Sequence, residues 1–208
     1  MDDSCLPLTY FAPIDLIARA LIAENWMFEV NENYQKQSYR SRQYIYGANG
    51  KLLLNIPIKH QKSEVRKKQL MKEVKIENDF PWQDLHWKSL EAAYRSSPYF
   101  EFYEDDLQPL YEKKYTYLID FNQDCWQTLI DFLQLEIAQS KTTEFQMKYP
   151  AHVNDLRAYA QAKRKHETEN LRYAQVFEEK LGFVPNLSIL DLLFSEGPNT
   201  SAILRELE

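Results

Sequence analysis

The dipeptide Asn49-Gly50 lies between two runs of strand composition and restricts the fold of this chain more than any other feature. Both residues accept the positive φ that a two-residue antiparallel hairpin needs, so Gln43 to Tyr46 and Lys51 to Ile58 are predicted to pair through it. In the second run Leu52, Leu54, Ile56 and Ile58 alternate with Leu53, Asn55 and Pro57. Pro57 has no amide hydrogen to give a ladder, so this strand ends at an edge or leaves the sheet. Upstream, Leu6 to Phe11 is a short apolar run, and Pro13 opens a segment with Ile14, Ile17, Ala18 and Leu21 on one helical face. Trp26 to Val30 is a second apolar run, so the order strand, helix, strand predicts a parallel βαβ unit. A parallel unit joined to an antiparallel hairpin predicts an α/β domain with a mixed β-sheet.

Further along, LMKEVKIEN alternates Leu70, Val74 and Ile76 with charges and is predicted as another strand. Phe80-Pro81 opens a helix through Trp82, Leu85, Leu90 and Ala93 that stops at Ser96-Ser97-Pro98. A second helix runs from Leu107, and Asn122 is placed to cap a third through Leu133. Phe145 to Tyr149 is a candidate last strand, whereas residues 151–170 carry few large apolar groups and a KRKH run and are predicted as a mobile polar excursion. Helical segments closed by Gly182 and by Gly197-Pro198 finish the chain. With no internal repeat, the 208 residues are read as one domain, 1–208, with a helical C-terminal half. A domain of that size buries roughly 70% of the surface its unfolded chain exposes.

Several chemistries are excluded. The balance of 25 basic against 31 acidic residues argues against a nucleic-acid binder. The basic run Lys62, Arg66, Lys67 and Lys68 lacks an interleaved aromatic platform and is read as a solvated loop. Cys5 and Cys125 form no CxxC and point to a reducing compartment. The acidic start MDDSC is unlike a signal peptide and no apolar run reaches membrane length, so a cytoplasmic location is expected. Gly47, Gly50, Gly182 and Gly197 are the only glycines, too few and too dispersed for a phosphate loop or a dinucleotide fingerprint. There is no GxSxG elbow, and His60, His86, His152 and His166 are scattered, so no metal site is read and no cofactor is assigned. Glu104-Asp105-Asp106 is assigned to helix-dipole complementarity.

Three features remain. Residues 31–50, NENYQKQSYRSRQYIYGANG, set Lys36, Arg40 and Arg42 among Tyr34, Tyr39, Tyr44 and Tyr46 beyond a predicted strand, where ligands of open α/β folds gather. Arginine forks, a lysine point charge and flat phenols suit an anionic ligand that contains a ring, such as a nucleotide-linked sugar. The alternative is a solvated connection whose cations pair with Glu29 and Glu32. His86 shares a helical face with Trp82, Leu90 and Ala93; it is either an acid or base tuned by burial or a hydrogen-bonded core residue. Asp191 is the lone charge in SILDLLF, either a proton-transfer group or orienting partner, or a capping residue three positions after Ser188.

The blocks NYQKQSYRSRQYI, LLLNIPIKH, HWKSLEAAYRSSPYFEFY and FVPNLSILDLLF, in this order, resemble the successive motifs of the WbqC-like family over most of the chain. The family's Q-x-x-K-x-x-W-x-N-R-like stretch lines up with Gln35, Lys36, Tyr39 and Arg42, and its S-I-x-D with Ser188, Ile189 and Asp191. The resemblance implies a role in O-antigen and related surface-polysaccharide biosynthesis, with a glycine-type aminoacyl transfer to an amino sugar as the implied reaction. Resemblance and residue chemistry together make Tyr34, Gln35, Lys36, Tyr39, Arg40 and Arg42 substrate-binding candidates and Asp191 and His86 catalytic candidates. A binding module without catalysis is the alternative. The chain departs from the family in its LTYFAP start and in the polar NDLRAYAQAKRK that replaces a glycine-rich segment, which implies a shorter subgroup with its own substrate choice.

Overall fold

The computed structural model describes residues 3–59, 68–165 and 171–206. The predicted opening forms: β1 (Asp3–Pro7), α1 (Ile14–Ala20) and β2 (Asn25–Glu29), with β1 and β2 parallel in the register Cys5↔Met27. Nearly every residue of α1 is buried, because the helix lies between the sheet and the C-terminal helices, and Trp26 Nε1 donates to the Ala20 carbonyl at 2.9 Å to tie helix to strand. The hairpin β3 (Arg42–Gly47) and β4 (Gly50–Asn55) closes at Gly47↔Gly50, where Gly50 has φ 104. Parallel and antiparallel pairing are both present, divided between two sheets: among the described residues β3 and β4 form a two-stranded sheet of their own, whereas β1 and β2 belong to a four-stranded parallel sheet.

That sheet is completed by β5 (Ala138–Lys141) on β2 and β6 (Val153–Asp155) on β1, in the order β5-β2-β1-β6. Phe145–Tyr149, expected as a strand, is the loop between them. The polar stretch expected as an excursion supplies β6 and a 3-10 turn at Arg157–Ala160. Residues 166–170 of that stretch, and His60, Lys62, Arg66 and Lys67, lie outside the described residues. Residues 70–78 form a 3-10 turn at Met71–Glu73 and single bridges in place of a strand, with Met71, Val74 and Ile76 buried.

The middle of the chain is helical: α2 (Trp82–Tyr94), α3 (Phe100–Glu112) and α4 (Leu118–Phe132) pack in sequence, each burying one apolar stripe. In α4 that stripe is Leu118, Phe121, Cys125, Trp126 and Leu129; complete burial of such a side chain contributes about 1.5–3 kcal/mol. Asn122 is not the cap of α4. It sits inside the helix, fully buried, and its amide donates to the carbonyls of Leu8 at 3.1 Å and Arg40 at 2.8 Å. The chain ends in α5 (Glu178–Leu181), α6 (Ile189–Glu196) and α7 (Thr200–Arg205); one continuous core joins α6 and α7 to the sheet, while α5 buries no residue.

Candidate functional site at the carboxyl edge of the parallel sheet

From β1 the chain moves one way to β2, with β5 beyond it, while β6 is added on the other flank of β1. The switch point therefore lies between β1 and β6, and in open α/β sheets the crevice beyond the carboxyl ends there is the ligand position. Residues 31–41 fold back over it. Tyr39 donates its N–H to Ala160 O at 2.8 Å and accepts from Tyr10 N–H at 2.9 Å, so its peptide bridges the segments that follow β6 and β1. The strap is fastened further by Tyr34 N–H to Gln69 O, Met71 N–H to Glu32 O and Ile56 N–H to Ser41 O. Phe11, in the loop after β1, is held at φ 38, a strained conformation for a bulky residue and one that clusters at functional sites.

The cations of the strap are put to different uses. Arg40 turns inward, fully buried, and its Nε and Nη2 each donate to a Glu32 carboxylate oxygen at 2.6 Å. Burial pushes the Glu32 carboxyl up and the Arg40 charge pulls it back in part. Arg40 thus makes the pairing with Glu32 set out as the alternative, in the interior and not in solvent. Gln35 and Lys36 stand exposed at the tip, where Gln37 takes φ 58 and Ser38 Oγ donates to Gln35 O. Tyr34 is half-buried and donates to Ser41 Oγ at 3.0 Å.

Tyr39 and Arg42 carry the unusual feature. The Tyr39 hydroxyl and the Arg42 Nε are both buried, and neither has a hydrogen-bond partner among the described residues. Burial, then the Asp15 carboxylate and Tyr44, push the Tyr39 phenol up, while Arg42 acts in the opposite sense. The Tyr44 ring stands edge-on to Tyr39 at 6.1 Å and carries Lys51 Nζ over its face at 4.3 Å. Asp15 belongs to the first turn of α1; its N–H donates to Asn186 Oδ1 at 2.9 Å and its carboxylate lies 3.6 Å from Arg164, whose guanidinium covers Tyr159. A neutral phenol and a guanidinium edge, both without an acceptor, beside a carboxylate can bind an oxyanion or carbonyl oxygen and hold a nearby amine.

A second charged cluster lies beyond β2 and β6. Arg157 clamps Asp155 with bonds of 2.8 and 2.6 Å, approaches Glu29 at 3.4 Å, and is held between the rings of Phe145 and Tyr149. Glu29 also accepts from Thr142 Oγ1 and Asn31 N–H, both at 2.8 Å. These partners are internal, and the cluster fastens the loop after β5 to the sheet.

His86 and Asp191 lie in other networks. The Tyr10 hydroxyl is 3.0 Å from His86 Nδ1 and 3.0 Å from the Tyr111 hydroxyl, and the His86 and Tyr10 rings are stacked. Burial pushes His86 down to about 4, so the imidazole is neutral at pH 7. The Gln43 amide lies close to both phenols without a well-directed hydrogen bond to either. Asp191 is fully buried and accepts from Tyr94 Oη and Tyr173 Oη at 2.6 Å each and from Gln175 Nε2 at 3.0 Å. Burial raises its carboxyl although three donors oppose the shift. Ser188 caps α6 through its own Oγ, which accepts from Leu190 N–H, so the Asp191 side chain is not part of the cap. Among the described residues the hydrogen-bond donors to Asp191 are Tyr94, Tyr173 and Gln175, not Lys36 or Arg42.

Sequence reasoning missed Asp15, Arg164 and Asn186. The available signal was Asp15 itself, an acid on the apolar side of IDLIARA, where Arg19 is the other charge. Among the described residues no group of three or more His, Cys, Asp or Glu is placed to hold a metal ion, and no helix is long and apolar enough to cross a membrane.

Fold and site together define a single-domain α/β protein in which residues 31–41 are strapped across the carboxyl edge of the parallel sheet. The chain belongs to the WbqC-like protein family, which matches residues 9–169. That span contains the strap, Asp15, His86 and Arg164, and it ends before Asp191. No curated protein and no solved structure matches the chain.

Proposed function

We propose that this protein is a cytoplasmic transferase of surface-polysaccharide biosynthesis that aminoacylates the amine of a nucleotide-linked amino sugar. The observation that supports the reading is the set of buried donors on one segment without partners among the described residues, Tyr39 Oη, Arg40 Nη1 and Arg42 Nε. Arg42 and the exposed Lys36 hold the anionic carrier, Gln35 borders it, and the Tyr34 and Tyr44 rings flank the sugar or base. Asp15, adjacent to Tyr39, accepts the amine proton. Asp191 and His86 were the sequence candidates for that role, and both are engaged in internal hydrogen bonds. In the reaction the amine nitrogen bonds to the carbonyl carbon of an activated aminoacyl donor, a thioester or acyl phosphate. The bond to the thiolate or phosphate breaks with its electron pair, and the amine proton passes to the carboxylate.

The test is mass spectrometry of uridine and thymidine diphosphate hexosamines incubated with the protein and glycyl donors of both classes. A gain of one glycyl residue, lost in Asp15→Asn, supports the reading. Binding without mass gain supports a second reading, a sugar-nucleotide-binding module, which is favoured by the internal engagement of both expected proton-transfer groups. Ligand at a hundred times its Kd stabilises the fold by about 2.7 kcal/mol, so a thermal shift registers either case.

A further inference from the structure

A second hollow, of about 220 Å3, opens beside the carboxyl ends of β2 and β5 under α4. None of its lining residues belongs to the strap of residues 31–41. Its floor is Leu8, Phe28 and Trp126, all buried, with the Trp126 ring packed edge-on against Phe28 at 5.2 Å. Trp126 is only 2% exposed, yet its indole N–H has no acceptor among the described residues. An unsatisfied buried donor costs about 1–3 kcal/mol and calls for a partner. The rim is of a different character: Gln127, Gln139 and Ser140 are exposed around the opening, and Lys141 is hydrogen-bonded to Gln123 across it.

We infer that this hollow is a binding site for a neutral pyranose, one face of the ring on the apolar floor and its hydroxyls on the amide rim. Size sets the first limit: a cavity of about 150 Å3 admits a benzene ring, so this one takes a six-membered ring with substituents and little more. Rim chemistry sets the second. Primary amides and a hydroxyl offer donors and acceptors together, which matches hydroxyl groups that need both. Charge sets the third, because the one cation of the lining already has Gln123 as a partner, and no carboxylate lines the hollow to attract a cation. The Trp126 N–H then donates a hydrogen bond to a ring or hydroxyl oxygen. The inference is independent of the transferase reading, since the hollow binds a free sugar whether or not any group is transferred.

The experiment is saturation-transfer NMR and calorimetric titration of the full chain with methyl pyranosides of glucose, galactose, mannose and N-acetylglucosamine. At least one binds, with Kd on the order of a millimolar, as expected for a ligand of this size. Ser140→Trp, an exposed change on an edge strand that accepts aromatic residues, fills the opening and abolishes the signal. Gln139→Ala, also exposed, weakens binding about fivefold, and Trp126→Phe, which removes the donor and keeps an aromatic ring, about tenfold. Unfolding curves confirm that each variant is folded. No binding of any pyranoside, undiminished binding to folded Ser140→Trp, or preference for a small carboxylate such as benzoate overturns the inference.

Discussion

His86 makes the stability of this fold sensitive to mild acid in a way that one substitution removes. In the folded chain burial pushes its imidazole from the ordinary 6.5 down to about 4. As pH falls below 6.5 the unfolded chain takes up a proton that the folded chain refuses, so stability is lost progressively down to about pH 4 and changes no further below it. The difference corresponds to about 3 kcal/mol, a large fraction of the 5–15 kcal/mol typical of a domain. Burial raises Glu32 and Asp191 in the folded state, which contributes with the opposite sign: as pH falls they take up their protons before the unfolded chain does. Subtracting a His86→Gln variant cancels those contributions. Gln is close in size, can bond to the Tyr10 hydroxyl and does not titrate. Urea unfolding followed by tryptophan fluorescence, run from pH 7.5 to 4 on both proteins, gives the test. The wild-type advantage over the variant should shrink by about 3 kcal/mol across that interval. Parallel profiles with a constant gap would refute the assignment of a buried neutral imidazole to this network.

Other expectations follow from the same contacts. Glu32→Gln leaves the Arg40 guanidinium buried without its counter-charge and should cost about 3 kcal/mol in urea unfolding at pH 7. Gly197→Ala places a methyl 2.5 Å from the Tyr99 ring at a residue with φ 54, and should destabilise by about 3 kcal/mol in the same assay.

The parts of the fold legible in the sequence were those fixed by local chemistry. Asn49-Gly50 demands a tight turn, and the apolar runs around Ile14 to Leu21 carry their own periods, so the hairpin and the βαβ unit are visible without any partner. β5 and β6 are short edge strands whose residues are exposed or half-buried, and only pairing with β2 and β1 makes them strands. Phe145 and Tyr149 looked like strand residues because they are aromatic; their rings face the Arg157 guanidinium. Arg40 was indistinguishable in sequence from Arg42. Its burial follows from the strap folding back on Glu32, a tertiary event that composition does not encode. His86 and Asp191 stood out as polar residues in apolar surroundings, but a sequence does not show whether such a group meets a substrate or, as with Tyr94, Tyr173 and Gln175 around Asp191, a closed set of donors.

The claim on which the functional account turns is that the crevice capped by residues 31–41 takes an anionic sugar carrier through Arg42. Calorimetric titration of uridine and thymidine diphosphate hexosamines into wild type and Arg42→Ala tests it most directly. A charge-assisted hydrogen bond contributes roughly 1.5–3 kcal/mol, so Arg42→Ala should bind at least about tenfold more weakly with an unchanged unfolding midpoint. Equal affinity of the two proteins, or binding by neither, would contradict it.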